Sequence, residues 1–111
     1  MEKTYKPLLF ETLLAAANLE KQRFIGFDGN YCTQGAKALG VSDVEVDANQ
    51  FVPVVLLGIL LVKTGGAITK GSKVASDANG YAVAFSAGES NGYALDTAIT
   101  SGEIIRIVRG I

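Results

Sequence analysis

Apolar and polar residues in this chain alternate in short bursts separated by turn clusters, and the clearest burst is GGAITKGSKVASDANGYAVAF at residues 65–85. Ile68 and Val74 are apolar, Asp77-Ala78-Asn79-Gly80 interrupts the run, and Tyr81, Val83 and Phe85 alternate with Ala82 and Ala84. Asn79-Gly80 supplies the positive-φ conformations that tight hairpins need, so the stretch predicts strand, turn, strand. The same order occurs earlier. Residues 23–27 read as a strand closed by the turn Asp28-Gly29-Asn30, and Tyr31 and Cys32 resume it. A connection of small residues then leads into Leu39-Gly40-Val41.

Two other stretches are strands of different character. In residues 42–47 the carboxylates of Asp43, Glu45 and Asp47 alternate with valines, which predicts a half-buried strand. Residues 51–62 are apolar at nearly every position. Val54, Leu56, Leu60 and Val62 would face one way, and Val55, Leu57, Ile59 and Leu61 the other. A strand buried on one side would alternate with polar residues, so a second layer or another subunit must cover this one. Pro53 belongs near its start or on an edge, because it lacks an N–H. Gly58 permits a bulge that changes which face is buried.

Residues 1–18 read as an N-terminal arm, and residues 19–111 as a β-rich domain. Tyr5, Pro7, Leu8, Leu9 and Phe10 are large apolar groups without a local partner. Pro7 biases Lys6 toward extended backbone. The arm is therefore expected to pack on a neighbouring subunit. Leu13, Leu14, three alanines, Leu19 and Glu20 are good helix formers, and one short helix is expected over residues 11–21, with an extended conformation as the alternative.

The two turn-containing stretches define a pseudo-repeat over residues 19–58 and 67–110. LEKQRFIGFDGNY matches ITKGSKVASDANGY, Leu39-Gly40-Val41 matches Gly92-Tyr93-Ala94-Leu95, and the strand ending at Gly58 matches the one ending at Gly110. Two copies are too few for a solenoid or propeller. They predict an all-β fold, a small barrel or sandwich built from two similar units.

Composition narrows the chemistry. The 111 residues are 49% hydrophobic and 19% charged, which leaves little polar surface for a solitary monomer and favours an oligomer or a docked protein. The net charge of −1 attracts no nucleic acid by bulk electrostatics. Histidine is absent, which removes Ser–His and Cys–His hydrolases. Cys32 is the sole cysteine and reads as a small buried hydrophobe. The apolar start of the chain imitates a secretory signal, but Glu2 and Glu11 interrupt it. The run at 52–62 is shorter than the about 20 residues a bilayer span requires, so no membrane partner is expected.

Several apparent sites dissolve on inspection. Residues 66–73, GAITKGSK, imitate a phosphate-binding loop, but Ser72-Lys73 inverts the required order and no helix has room to follow. Asp43, Glu45 and Asp47 read as a solvated face rather than a calcium site. Asp96 and Glu103 flank a turn and read as solvated, while Arg106 and Arg109 are candidates for subunit salt bridges. Tyr31, Tyr81, Tyr93 and Phe85 offer a stacking platform for a carbohydrate or other ligand, or else cap turns and fill the core.

GGAITKGSKVASDANGYAV followed by NGYALDTAITSGEIIRIVRG resembles the phage capsid decoration (cement) proteins, a family also treated as a domain of unknown function and sometimes labelled RecA-like. The resemblance covers mainly residues 65–110. It implies a small β-rich protein with no catalytic residues and no cofactor. It also implies assembly in the host cytoplasm, as a homotrimer or similar oligomer, onto the outer surface of a virion, where it clamps adjacent subunits of the major capsid protein. The residues expected to make those interfaces are Tyr5, Pro7, Leu8, Leu9, Phe10, Leu13, Phe51, Val55, Leu57, Ile59 and Leu61. The alternative is a β-rich ligand- or carbohydrate-binding accessory module of a phage particle.

Overall fold

Eight strands run through the chain in the computed structural model, which describes residues 4–111; residues 1–3 of the expected arm lie outside the described residues. They are β1 (Lys6–Leu14), β2 (Phe24–Ile25), β3 (Gly40–Ser42), β4 (Phe51–Lys63), β5 (Val74–Ser76), β6 (Ala82–Ala84), β7 (Tyr93–Ala94) and β8 (Ile104–Arg109). No helix occurs among the described residues, and the antiparallel sheet curls into a half-barrel. The fold is all-β.

β4 is the spine. Val54 and Val55 pair with both β1 and β3, and Gly58 and Ile59 pair with both β1 and β8. Thus β1 lines one edge of β4, and β3 and β8 share the other. β2 continues the sheet beyond β3, and β7 beyond β8. The hairpin predicted around Asn79-Gly80 forms as β5–β6, with Gly80 at φ 77° and the Asp77 carboxylate accepting from the amides of Asn79 and Tyr81.

Several backbone hydrogen bonds of residues 19–46 recur in residues 68–98. The Gln22 amide donates to the Ser42 carbonyl at 2.8 Å, and the Gly71 amide to the Ala94 carbonyl at 2.7 Å. Ser42 donates to Arg23 as Ala94 does to Ser72, and Leu39 to Ile25 as Asn91 does to Val74. Leu19 and Val46 bridge reciprocally, as do Ile68 and Ala98. In the first strand of each unit these matches keep one spacing, in the second another, so the units differ by a small insertion between them.

The expected helix over residues 11–21 gives way to strand and irregular chain. Lys6–Leu14 is extended because its amides and carbonyls find partners along β4, and such long-range pairing overrides weak helix propensity. The strand expected over residues 42–47 also ends early. β3 stops at Ser42; Val44 is exposed, while Val46 turns inward to bridge Leu19.

Two cores result. Val52, Val54, Leu19, Ile25 and Val46 form the smaller, with Leu13 and Leu56 packed against it. Val55, Leu60, Val62, Phe24, Ile105 and Ile107 belong to the larger. Odd-numbered Val55 and even-numbered Leu60 share a core, so the alternation of β4 changes phase between them. Paired bulges cause it. Leu56 is unmatched in β4 between the pairs Phe10–Val55 and Leu9–Leu57, and Leu8 is unmatched in β1 between Leu9–Leu57 and Pro7–Gly58. Gly58 sits at φ 111° there, where a Cβ would press on the Lys6 carbonyl oxygen. The uniformly greasy sequence of β4 therefore serves two cores on opposite faces, which replaces the single division of faces expected from alternation.

A buried latch joins the units. Arg23, in the first unit, lies between the rings of Tyr31 at 4.0 Å and Tyr81 at 3.8 Å. Its Nη2 and Nε donate to the Asn79 carbonyl of the second unit's hairpin at 2.6 and 3.0 Å, and Nη1 donates to Glu20. The amide of Phe24 also donates to the Gly80 carbonyl.

Candidate interaction surface

Residues opposite one another in an antiparallel pair point to the same side of the sheet. On the β1–β4 ribbon, Leu13 with Val52 faces the smaller core, and Leu14 with Phe51, Thr12 with Pro53 and Phe10 with Val55 face the other way. At Val55 that second face is closed by the larger core. Toward the end of the ribbon it is open: Phe51 is 67% exposed and Leu14 49%. Phe10 continues the apolar strip, the bulged Leu8 is 80% exposed, and Leu9 and Leu57 are also exposed on the ribbon. The turn at Gly29 accepts a hydrogen bond from Ala16 and brings Phe27, 66% exposed, to the same end.

β1 has a second unmet need. It pairs with β4 and with no other strand among the described residues, so its outer edge presents backbone donors and acceptors. Lys6, Pro7 and the Leu8 bulge blunt the first part of that edge. From Leu9 to Leu14 it is plain strand, interrupted only by the charge of Glu11.

The start of the strand is anchored. The Tyr5 hydroxyl donates to Asp43, and partial burial together with that carboxylate pushes the phenol above its ordinary range. Arg106 forks onto Asp96 at 2.9 and 3.1 Å and donates to the Thr4 hydroxyl at 3.0 Å.

Of the residues expected at an interface, Leu8, Leu9, Phe10, Phe51 and Leu57 are exposed together on this ribbon. Tyr5 is exposed at its ring but committed at its hydroxyl. Pro7, Ile59 and Leu61 are half-buried, and Leu13 packs on the smaller core. Val55, at 1% exposure, lies inside the subunit and has no surface to offer a partner. Leu14 and Phe27 were not among the expected residues. Once β1 is placed as a strand, the pairing of Leu14 with Phe51 exposes it.

The remaining constellations are structural. Tyr31 and Tyr81 each have one ring face occupied by Arg23, which weakens the idea of a stacking platform. Asp96 binds Arg106, and Glu103 accepts the amides of Ile99 and Thr100. Arg109 donates to the carbonyls of Leu56, Ala38, Leu39 and Asn91. Burial pushes the Cys32 thiol up, which keeps it unreactive. No group of acidic, cysteine or histidine residues suited to a metal occurs among the described residues.

The family comparison decides what kind of protein presents such a surface. The phage cement protein family matches residues 9–109. This chain belongs to the phage cement protein family. Its fold is shared by the N base of head fiber gp8.5 in bacteriophage phi29, with a TM-score of 0.74 at 21% identity over 92% of this chain and 93% of that one. No curated protein matches the sequence. As a cement protein it is a structural component of the virion, associated with the capsid. The matched region takes in β1 from Leu9 onward and all of β4.

Proposed function

We propose that this cement protein decorates the outer surface of a phage capsid and stabilises it by bridging adjacent subunits of the major capsid protein. Copies made in the host cytoplasm join the head as a homotrimer or similar oligomer. The observation that carries the reading is the β1–β4 ribbon, where an unpaired strand edge and the apolar strip of Leu8, Phe10, Leu14 and Phe51 lie side by side. Fully burying one Leu or Phe side chain contributes roughly 1.5–3 kcal/mol before ordering costs. Three or four such groups account for a firm contact, and many copies on one shell add avidity.

The test is co-sedimentation with purified heads, comparing the wild type with the double variant Leu14→Ser, Phe51→Ser. Both positions are exposed, so the fold and melting temperature stay near wild type while attachment weakens at least about tenfold. Full-strength attachment by the folded variant overturns the reading. Deleting residues 1–10 is a blunter test, because it strips half of β1 from β4 as well as the exposed groups. Light scattering reads the oligomeric state in the same preparations.

A further inference from the structure

A cleft of about 420 Å3 opens between the loop carrying Ser90 and Asn91 and the residues after β8, Gly110 and Ile111, and its charged side chains are all positive. Lys37, Lys73 and Arg109 line it, with Tyr93 and Leu57, and neither Asp nor Glu does. The Lys37 ammonium is held at the rim by donating to the Ser90 carbonyl at 2.8 Å. The Lys73 ammonium lies 5.3 Å from the centre of the Phe85 ring. Arg109, at the cleft wall, spends its guanidinium on neutral carbonyls at 2.8 to 3.4 Å. Among the described residues, no Asp or Glu side chain forms an ion pair with any of the three. Arg23 and Arg106 each have an acidic partner, whereas these three cations gather in one cleft of a chain whose net charge is −1.

We propose that this cleft docks an acidic peptide segment of a partner protein, taking two or three neighbouring carboxylates against Lys37, Lys73 and the rim of Arg109. Tyr93 and Leu57 supply an apolar flank for the segment's non-acidic side chains. The size of the patch selects a short acidic segment over nucleic acid. A nucleic acid's charge extends well beyond three cations, and the rest of this net-negative surface repels it. Leu57 is also exposed on the β1–β4 ribbon, so a segment seated here adjoins the ribbon proposed for shell attachment. The cleft's charge was not legible in sequence, because Lys37, Lys73 and Arg109 come from three separate loops and strands.

The probe is a fluorescent, end-blocked peptide of alternating Asp and Glu with one Leu, compared with its Asn and Gln counterpart. Binding is followed by anisotropy and mapped by amide chemical shifts on the isolated protein, so the result is independent of any head-binding assay. The expected result is saturable, salt-weakened binding of the acidic peptide, with shifts confined to Lys37, Asn91, Gly92, Tyr93 and Arg109. Each of Lys37→Gln and Lys73→Gln should weaken it about five- to tenfold while leaving the melting temperature near wild type. No saturable binding, equal binding of the amide peptide, shifts mapped elsewhere, or tighter binding of an oligothymidylate would each overturn the proposal.

Discussion

Arg23 is the residue whose removal tests how the two units hold together. Its guanidinium is sandwiched by Tyr31 and Tyr81, its side chain is 6% exposed, and it donates twice to the Asn79 carbonyl. A desolvated cation–π contact is worth about 1–2 kcal/mol, and a hydrogen bond from a charged group about 1.5–3 kcal/mol. These terms overlap, so Arg23→Ala should cost about 3–4 kcal/mol. That is a large share of the roughly 5–15 kcal/mol by which a domain of this kind is stable. Arg23→Lys keeps the charge but loses the flat group that stacks on two rings at once, and should cost about half as much. Urea unfolding followed by far-UV circular dichroism reads both, since the chain has no tryptophan to report by fluorescence. With a slope of about 1–1.5 kcal/mol per molar urea, the alanine variant's midpoint should fall by about 2–4 M. A double-mutant cycle with Tyr81→Leu should give a coupling above about 1 kcal/mol. An alanine variant within about 1 kcal/mol of wild type, or a lysine variant indistinguishable from it, would refute the latch as the joint between units.

Gly58→Ala should be strongly destabilising, because position 58 has φ 111° and the added methyl meets the Lys6 carbonyl oxygen and, at 2.9 Å, the Leu8 amide nitrogen. A loss of about 2–3 kcal/mol would lower the melting temperature by roughly 10–20 °C, measured by calorimetry. The Tyr5 phenol, raised by burial and by Asp43, favours its protonated form in the folded state. Its contribution is therefore complete below the ordinary tyrosine value of about 10 and declines as pH rises beyond it. Melting curves should show wild type losing more stability than Tyr5→Phe over that alkaline range, and parallel losses would count against the Tyr5–Asp43 contact.

Much of the fold is legible where local chemistry and tertiary structure agree. Asp77, Asn79 and Gly80 dictate a turn by themselves, and the match of Leu19 with Ile68 marks two units whose backbone bonds coincide. The helix expectation at Leu13, Leu14 and the alanines fails because those residues have no strand signature of their own. Their extended form depends on Phe51 and Val52, far along the chain. Val55 fails as a surface residue for a related reason. It keeps the phase of Phe51, and it is buried because the larger core closes that face at Val55, which apolar spacing in one strand does not encode. The density of apolar groups at Leu8, Leu9 and Phe10, by contrast, signals an uncovered surface without any knowledge of pairing.

The repeat also shows why the exposed strip lies where it does. In the second unit, β8 is flanked by β7 on one edge and β4 on the other, so its backbone is satisfied within the chain. In the first unit, the matching strand is β4, whose longer run outlasts the partnership with β3 and β8 and needs a cover along its remaining edge. β1 supplies that cover and has no counterpart in the second unit. Adding one strand to a paired duplex moves the open edge outward instead of closing it, and an edge strand carrying Leu9, Phe10 and Leu14 is prone to pair with whatever strand it meets. Such an edge is a hazard for a protein that stays alone. On the shell of repeated subunits that the proposed function calls for, it would serve as a directional bond.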